Sequence, residues 1–192
     1  MSGTLYGLGL GPGDPELLTL KAHRILRAAP VIAYPLSEGG TSLARSIAAP
    51  HLPSGQVEVP IELCMAVDRA PGQSGYDRAA PLLARHLEAG RDVAVLCEGD
   101  PFFYGSFLYL FARLSRRFPA EIVPGISSVM AAAAAARRPL TARGDRFAVL
   151  SATLPNDLLR AGIEASESVA ILKLGRHFAR VKALLDDMGL TT

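Results

Sequence analysis

The chain has 192 residues, 49% of them hydrophobic and 20% charged, a balance that supports a packed core and excludes a disordered chain or a coiled rod. Twenty basic side chains against 18 acidic ones leave a formal charge of +2, too slight a bias to suggest nucleic acid, whose binders gather positive charge on one face. No apolar run approaches the roughly 20 residues of a membrane span, and the opening Met1-Ser2-Gly3-Thr4 has no basic-then-apolar leader, so a soluble protein retained in the cytoplasm, without a membrane partner, is expected.

Apolar, β-branched or glycine-bounded runs predict buried strands over residues 4–10, 31–34, 57–59, 92–97, 121–123, 146–150 and 168–173. Helical spacing lies between most of them. Leu18, Ala22, Ile25 and Ala29 recur on one face, as do Phe107, Leu110, Phe111 and Leu114, and later Phe178, Val181 and Leu185. The alternation predicts an α/β fold with largely parallel sheets. Asp14 followed by Pro15 has the order of an N-cap and a first turn, and Gly90 and Gly189 stand where left-handed C-caps are expected. Pro81 either starts a helix running to Ala89 or kinks a longer one beginning near Tyr76. Residues 63–75, with Pro71, Gly72 and Gly75, read as a long loop. Residues 116–120, polar and containing Pro119, read as a hinge between two α/β lobes, residues 1–118 and 119–192. The alanines at 131–136 read as a tightly packed helix.

Three strand-to-helix loops concentrate residues suited to ligand binding. The first is Gly9-Leu10-Gly11-Pro12-Gly13-Asp14. A dinucleotide fingerprint needs backbone N–H groups facing a pyrophosphate and a third glycine where Asp14 stands. Pro12 has no N–H and Asp14 would set a carboxylate among the phosphates, so that chemistry is disfavoured. Such a loop still lets another backbone, or an uncharged or cationic flat ligand, approach the strand end; a tight turn in which Asp14 only caps its helix explains it equally well. The second loop is Cys97-Glu98-Gly99-Asp100-Pro101-Phe102-Phe103-Tyr104-Gly105-Ser106. Glu98 or Asp100 suits ribose hydroxyls or a cation, and the aromatics suit a planar ligand; the alternative is that the phenylalanines belong to the core and Asp100 starts a turn. The third, Val123-Pro124-Gly125-Ile126-Ser127-Ser128, runs into the alanine helix with Ser127 as N-cap. Convergence of the three on one cleft between the lobes is the functional expectation.

Other constellations are weak. Cys64 and Cys97 are the only cysteines and lack CxxC spacing, which fits a reducing compartment better than a disulfide framework or a zinc site. His23, His51, His86 and His177 are scattered, so no metal is expected. No GxSxG elbow or other nucleophile is evident. Arg137 and Arg138 suit a helix C-terminus, with carboxylate binding as the lesser reading.

Taken together, these motifs resemble the tetrapyrrole methylases, S-adenosylmethionine-dependent enzymes that methylate corrin and sirohaem precursors. Gly11-Pro12-Gly13-Asp14-Pro15-Glu16-Leu17-Leu18-Thr19 is similar to the family's opening motif, Gly99-Asp100-Pro101 to its central one and Val123-Pro124-Gly125-Ile126-Ser127 to a third. Within the family, the string from Cys97 to Phe107 and the segment Val67-Asp68-Arg69-Ala70-Pro71 look like the precorrin-2 methyltransferases that modify carbon 20. The resemblance implies two α/β lobes with a ligand cleft between them, a homodimer, S-adenosylmethionine in the cleft and a tetrapyrrole in a trough of the first lobe. It also implies that the second lobe is incomplete here, since family members continue with further strands. Carried over by motif, Pro12, Glu98, Gly99, Asp100, Phe103, Ser127, Ser128 and Leu174 would line the cofactor site, and Asp14, Arg69, Tyr104 and Ser106 the substrate site.

The implied reaction is methyl transfer from a sulfonium to an electron-rich carbon, which needs positioning rather than a metal or a covalent intermediate. The sequence names no catalytic residue; Asp14, Tyr104 or water are candidates for accepting the proton lost from carbon 20, and Arg69, Arg137 and Arg138 for the substrate's carboxylates. Methylation of another corrin or sirohaem precursor, a non-catalytic tetrapyrrole-binding protein and a nicotinamide-dependent reductase are the rival readings.

Overall fold

A computed structural model describes residues 1–37, 39–63 and 69–191, with the backbone alone for residues 69–73. Its contacts divide the chain into two compact units, Met1–Ala131 and Ala132–Thr192. The first contains β1 (Leu5–Gly9), α1 (Leu20–Ala28), β2 (Val31–Leu36), α2 (Leu43–Ala48), β3 (Val57–Glu62), α3 (Arg69–Glu88), β4 (Val93–Cys97), α4 (Phe107–Leu114) and β5 (Ala120–Val123). These strands form a single sheet in the order β3-β2-β4-β1-β5, every neighbouring pair parallel.

Side-chain alternation explains why both faces are covered. Leu5, Val31, Ala33, Val93 and Val95 point to one face, where Leu83 and Leu87 of α3 and Phe107, Leu110 and Leu114 of α4 pack on them. Leu8, Ile32, Ala94 and Leu96 point to the other, against Ala22, Ile25 and Leu26 of α1 and Ala44, Ile47 and Ala48 of α2. The expected face of α1, from Leu18 to Ala29, is the one that packs inward.

All seven expected strand segments form strands, but the fifth changes partners. A hinge at residues 116–120 would put β5 with the second lobe; instead it pairs with β1 from Leu5↔Ala120 to Leu8↔Val123. A parallel ladder brings together residues more than a hundred positions apart, a relation that local composition does not encode.

The expected loop at 63–75 is also shorter. Residues 64–68 lie outside the described residues, but from Arg69 onward the chain is helical through Pro71, Gly72, Gly75 and Pro81. Pro71 falls in the first turn, where its missing N–H would have had no helical partner. At Gly75 a Cβ would stand 2.4 Å from the Glu62 carbonyl oxygen, so glycine here serves the close docking of α3 on the end of β3. Pro81 lies inside the longer of the two helices foreseen.

Helix α5 (Ser128–Ala136) follows β5 and crosses the division between the units. Its alanines are half-buried or exposed, not tightly packed as expected. The second unit then has β6 (Phe147–Ser151), α6 (Asn156–Glu164), β7 (Ser168–Leu172) and α7 (Phe178–Asp187), with β6 and β7 a parallel pair. Its small core joins Ala152, Leu159, Val181 and Leu184; Phe178, expected on that inner face, is exposed. Gly90 and Gly189 have φ of 73° and 68°, the left-handed conformation of the foreseen C-caps. No helix among the described residues is long and apolar enough to cross a membrane.

Candidate active site

The strand order fixes where a ligand can approach the first unit. After β1 the chain turns to α1 on one face and crosses toward β2; after the adjacent β4 it turns to α4 on the opposite face and crosses toward β5. Neighbouring parallel strands whose connections leave in opposite directions open a crevice at their carboxyl ends. All three candidate loops emerge at that end, from β1, β4 and β5.

They meet backbone to backbone. Gly11 and Gly99 form an antiparallel bridge, in which Gly99 N–H donates to the Gly11 carbonyl at 2.7 Å and Gly11 N–H to the Gly99 carbonyl at 3.3 Å. Gly125 fits against both loops: a Cβ there would lie 2.0 Å from Gly99 O and 2.8 Å from Gly9 Cα, and a Cβ on Gly9 would lie 2.5 Å from Gly125 N. Side chains at these positions would push the loops apart, so glycine is required by contact in addition to the left-handed φ of Gly11 (78°) and Gly99 (64°). Of the two readings of the first loop, close approach of another backbone is realised, and Asp14 caps as well. Its carboxylate accepts the Glu16 N–H at 2.9 Å and heads a short 3-10 turn, while Thr19 caps α1 itself.

Asp100 ties the second loop to the third. Its Oδ1 accepts the N–H groups of Phe102 at 2.9 Å and Phe103 at 3.1 Å, and its Oδ2 accepts the Gly125 N–H at 3.1 Å. Both oxygens therefore hold loops in place at the position where Asp100 is expected to line the cofactor site. Ser127 Oγ accepts the Val129 N–H at 3.1 Å, capping α5 as expected; Ser128 is exposed beside it.

The aromatics divide by role. Phe102 stacks edge-on against Phe111 with centroids 5.2 Å apart and lies 6.1 Å from Phe107, so one side of its ring covers the core while the residue stays 49% exposed. Phe103 and Tyr104 pack edge to face at 5.2 Å and remain 39% and 44% exposed, leaving aromatic surface at the sheet edge. Tyr104 has φ of 56°, a conformation costly for a non-glycine residue and concentrated at binding sites. Glu98 and Pro12 complete this edge, Glu98 exposed and Pro12 half-buried.

Beneath the loop, burial pushes the Cys97 thiol up to about 12 and the Tyr76 phenol up to about 12, so neither ionises near neutrality. Tyr76 donates its hydroxyl to Ser106 Oγ at 2.5 Å. Sequence reasoning had not counted Tyr76, Gly9 or Gly125 among the site residues. The inward face of α3 in the order Tyr76, Ala79, Ala80, Leu83 and Leu87 was the one local signal for Tyr76. Arg69 opens α3 as backbone alone, with Val67 and Asp68 outside the described residues. Leu174 belongs to the second unit, after Lys173 with φ of 62°, and its carbonyl accepts the His177 N–H at 2.6 Å.

A family model described as Tetrapyrrole (Corrin/Porphyrin) Methylases matches residues 4–191. The chain belongs to this family. Tetrapyrrole methylases use S-adenosylmethionine as methyl donor. The chain is 44% identical to the cobalamin biosynthesis protein CobIJ of Mycobacterium tuberculosis over 196 aligned residues, covering 98% of this chain but 39% of that protein; it thus spans about two fifths of the CobIJ relative's length. It is 37% identical to a precorrin-2 C(20)-methyltransferase of a Sinorhizobium species, covering 97% of this chain and 80% of that enzyme. Among solved structures, a cobalt precorrin-4 methyltransferase, CbiF, superposes with TM-score 0.74 at 25% identity over 98% of this chain and 76% of CbiF. A uroporphyrin-III C-methyltransferase of Thermus thermophilus complexed with S-adenosylhomocysteine gives 0.66 at 31% identity, covering 96% of this chain and 76% of that one.

Proposed function

We propose that this tetrapyrrole methylase transfers a methyl group from S-adenosylmethionine to carbon 20 of precorrin-2 or its cobalt-bearing counterpart, in cobalamin biosynthesis. The observation that carries the reading is the junction of the loops after β1, β4 and β5 through Gly11, Gly99, Asp100 and Gly125 on one sheet edge. Similarity to a precorrin-2 C(20)-methyltransferase over 80% of that enzyme supports the choice of carbon.

The residues present suit the cofactor. Gly13 has no heavy atom within 4 Å of where a Cβ would stand, so ligand can approach its backbone. The exposed face of Phe103 suits an adenine ring, and Glu98 suits ribose hydroxyls or a positive charge. S-adenosylmethionine would supply an electrophilic methyl group, while this chain binds, orients and excludes water. Pro12, Glu98, Gly99, Asp100, Phe103, Ser127, Ser128 and Leu174 would line the cofactor side. Asp14, Arg69, Tyr104 and Ser106 would line the macrocycle side. The protein would act as a cytoplasmic homodimer.

Incubation with methyl-labelled cofactor and each macrocycle, followed by carbon NMR, tests the reading. Label at carbon 20 is expected. Similarity to a precorrin-4 C(11)-methyltransferase makes label at carbon 11 of another precursor the second reading, and label in no macrocycle rejects both.

A further inference from the structure

Ser106 occupies the N-cap position of α4 yet makes no side-chain cap hydrogen bond. Serine at this position ordinarily turns its oxygen to the first-turn N–H groups, a contact whose loss costs about 1 kcal/mol. Here the oxygen accepts the phenol of Tyr76 at 2.5 Å instead. Tyr76 is 3% exposed, and its ring lies 5.5 Å from that of Tyr109 at a tilt of 32°. Its helix is fixed on either side: Gly75 is in close contact with the Glu62 carbonyl, and Asp77 accepts two hydrogen bonds from Arg113 of α4 at 2.8 and 2.6 Å. Burial also keeps it protonated, so it stays a donor through the whole neutral range.

A serine hydroxyl has one proton and two lone pairs. With one lone pair committed to Tyr76, the Ser106 proton is left for another acceptor, and Ser106 is half-buried rather than enclosed. From these contacts we infer that Tyr76 is a positioning residue that fixes Ser106 Oγ–H as a donor to a carboxylate of the bound tetrapyrrole. The two act as a relay, phenol to serine to ligand, in which each donor strengthens the next. This inference rests on the tetrapyrrole reading above and adds to it the group that receives one acidic side chain of the macrocycle. It assigns Tyr76 no role toward the cofactor, and that difference makes the test selective.

Sirohydrochlorin, a stable polycarboxylate tetrapyrrole, is titrated into the chain by absorbance, and S-adenosylhomocysteine by calorimetry, for the wild type, Tyr76→Phe, Ser106→Ala, the double variant and Ser106→Thr. Loss of a hydrogen bond to a charged acceptor predicts about ten-fold weaker sirohydrochlorin binding in either single variant. No further loss is expected in the double variant, because both changes break the same relay. Ser106→Thr, which keeps the hydroxyl, should retain affinity, and S-adenosylhomocysteine binding should change less than two-fold throughout. Unchanged sirohydrochlorin affinity in the single variants, multiplying losses in the double, or a parallel fall in S-adenosylhomocysteine affinity would overturn the inference. If Tyr76→Phe does not fold, Ser106→Ala against Ser106→Thr decides by the same readout. A wild-type chain that binds no sirohydrochlorin rejects the tetrapyrrole reading itself.

Discussion

Asp100 and Gly125 join two loops through a single hydrogen bond, the Gly125 N–H donating to Asp100 Oδ2 at 3.1 Å. The other carboxylate oxygen holds the Phe102 and Phe103 N–H groups, so one side chain sets the spacing of two strand ends. Its removal acts on the site through the backbone.

Asp100→Ala removes the side-chain acceptor of three N–H groups, of which Phe103 keeps the Asp100 backbone carbonyl at 3.4 Å. A destabilisation of about 1–3 kcal/mol is expected from the unpaired donors, together with weaker binding of S-adenosylhomocysteine. Urea unfolding and calorimetry measure the two effects; affinity equal to wild type would mean that the loops hold their arrangement without the carboxylate.

Gly125→Ala introduces a Cβ 2.0 Å from the Gly99 carbonyl oxygen. That atom is backbone and cannot swing aside, so at least about 2 kcal/mol of stability should be lost. Gly144→Ala, where a Cβ meets nothing within 4 Å, serves as the control. Equal melting temperatures for the two variants would refute the close packing of the loops.

The Tyr76 phenol should be among the last of the five tyrosines to ionise. Burial raises it to about 12, with the charges of Cys97, Tyr109 and Glu98 adding to the effect and the Ser106 hydrogen bond opposing it. Because the folded-state value lies above the unfolded value near 10, the stability tied to this proton is complete below pH 10 and is lost as pH rises toward 12. An ultraviolet titration monitored for folding should show a late step that Tyr76→Phe removes. A Tyr76 that ionises near 10 in folded protein contradicts the burial described.

Cys97 is 7% exposed, its thiol donates to the Val95 carbonyl at 3.4 Å, and burial pushes its ionisation up to about 12. The thiolate is the reactive form. In a Cys64→Ser background, Cys97 should therefore resist an aromatic disulfide reagent in native protein and react at once in denaturant. Rapid native labelling would show that the end of β4 opens readily.

The amino-acid sequence is informative wherever the cause is local. Runs such as Val93-Ala94-Val95-Leu96-Cys97 are apolar throughout because a parallel strand is covered on both faces, and all seven strands were foreseen for that reason. The cap at Asp14, the left-handed turns at Gly90 and Gly189 and the three ligand-type loops follow from backbone preferences that each residue carries with it. Helix α3 was legible in its second half, where Leu83 and Leu87 repeat, but not at its start, where Pro71 and Gly75 imitate a loop. The exposure of the α5 alanines was hidden, since alanine favours a helix whether or not anything covers it.

Partnership was decided by tertiary structure. Nothing near Ala120–Val123 indicates that it will pair with Leu5–Leu8, or that Gly9, Gly99 and Gly125 will stand within contact of one another. Hydrogen-bonded strand neighbours and backbone-to-backbone packing depend on which distant segments the fold brings together. The same holds for the carboxylate of Asp100, whose hydrogen bond to the Gly125 N–H joins two loops separated along the chain.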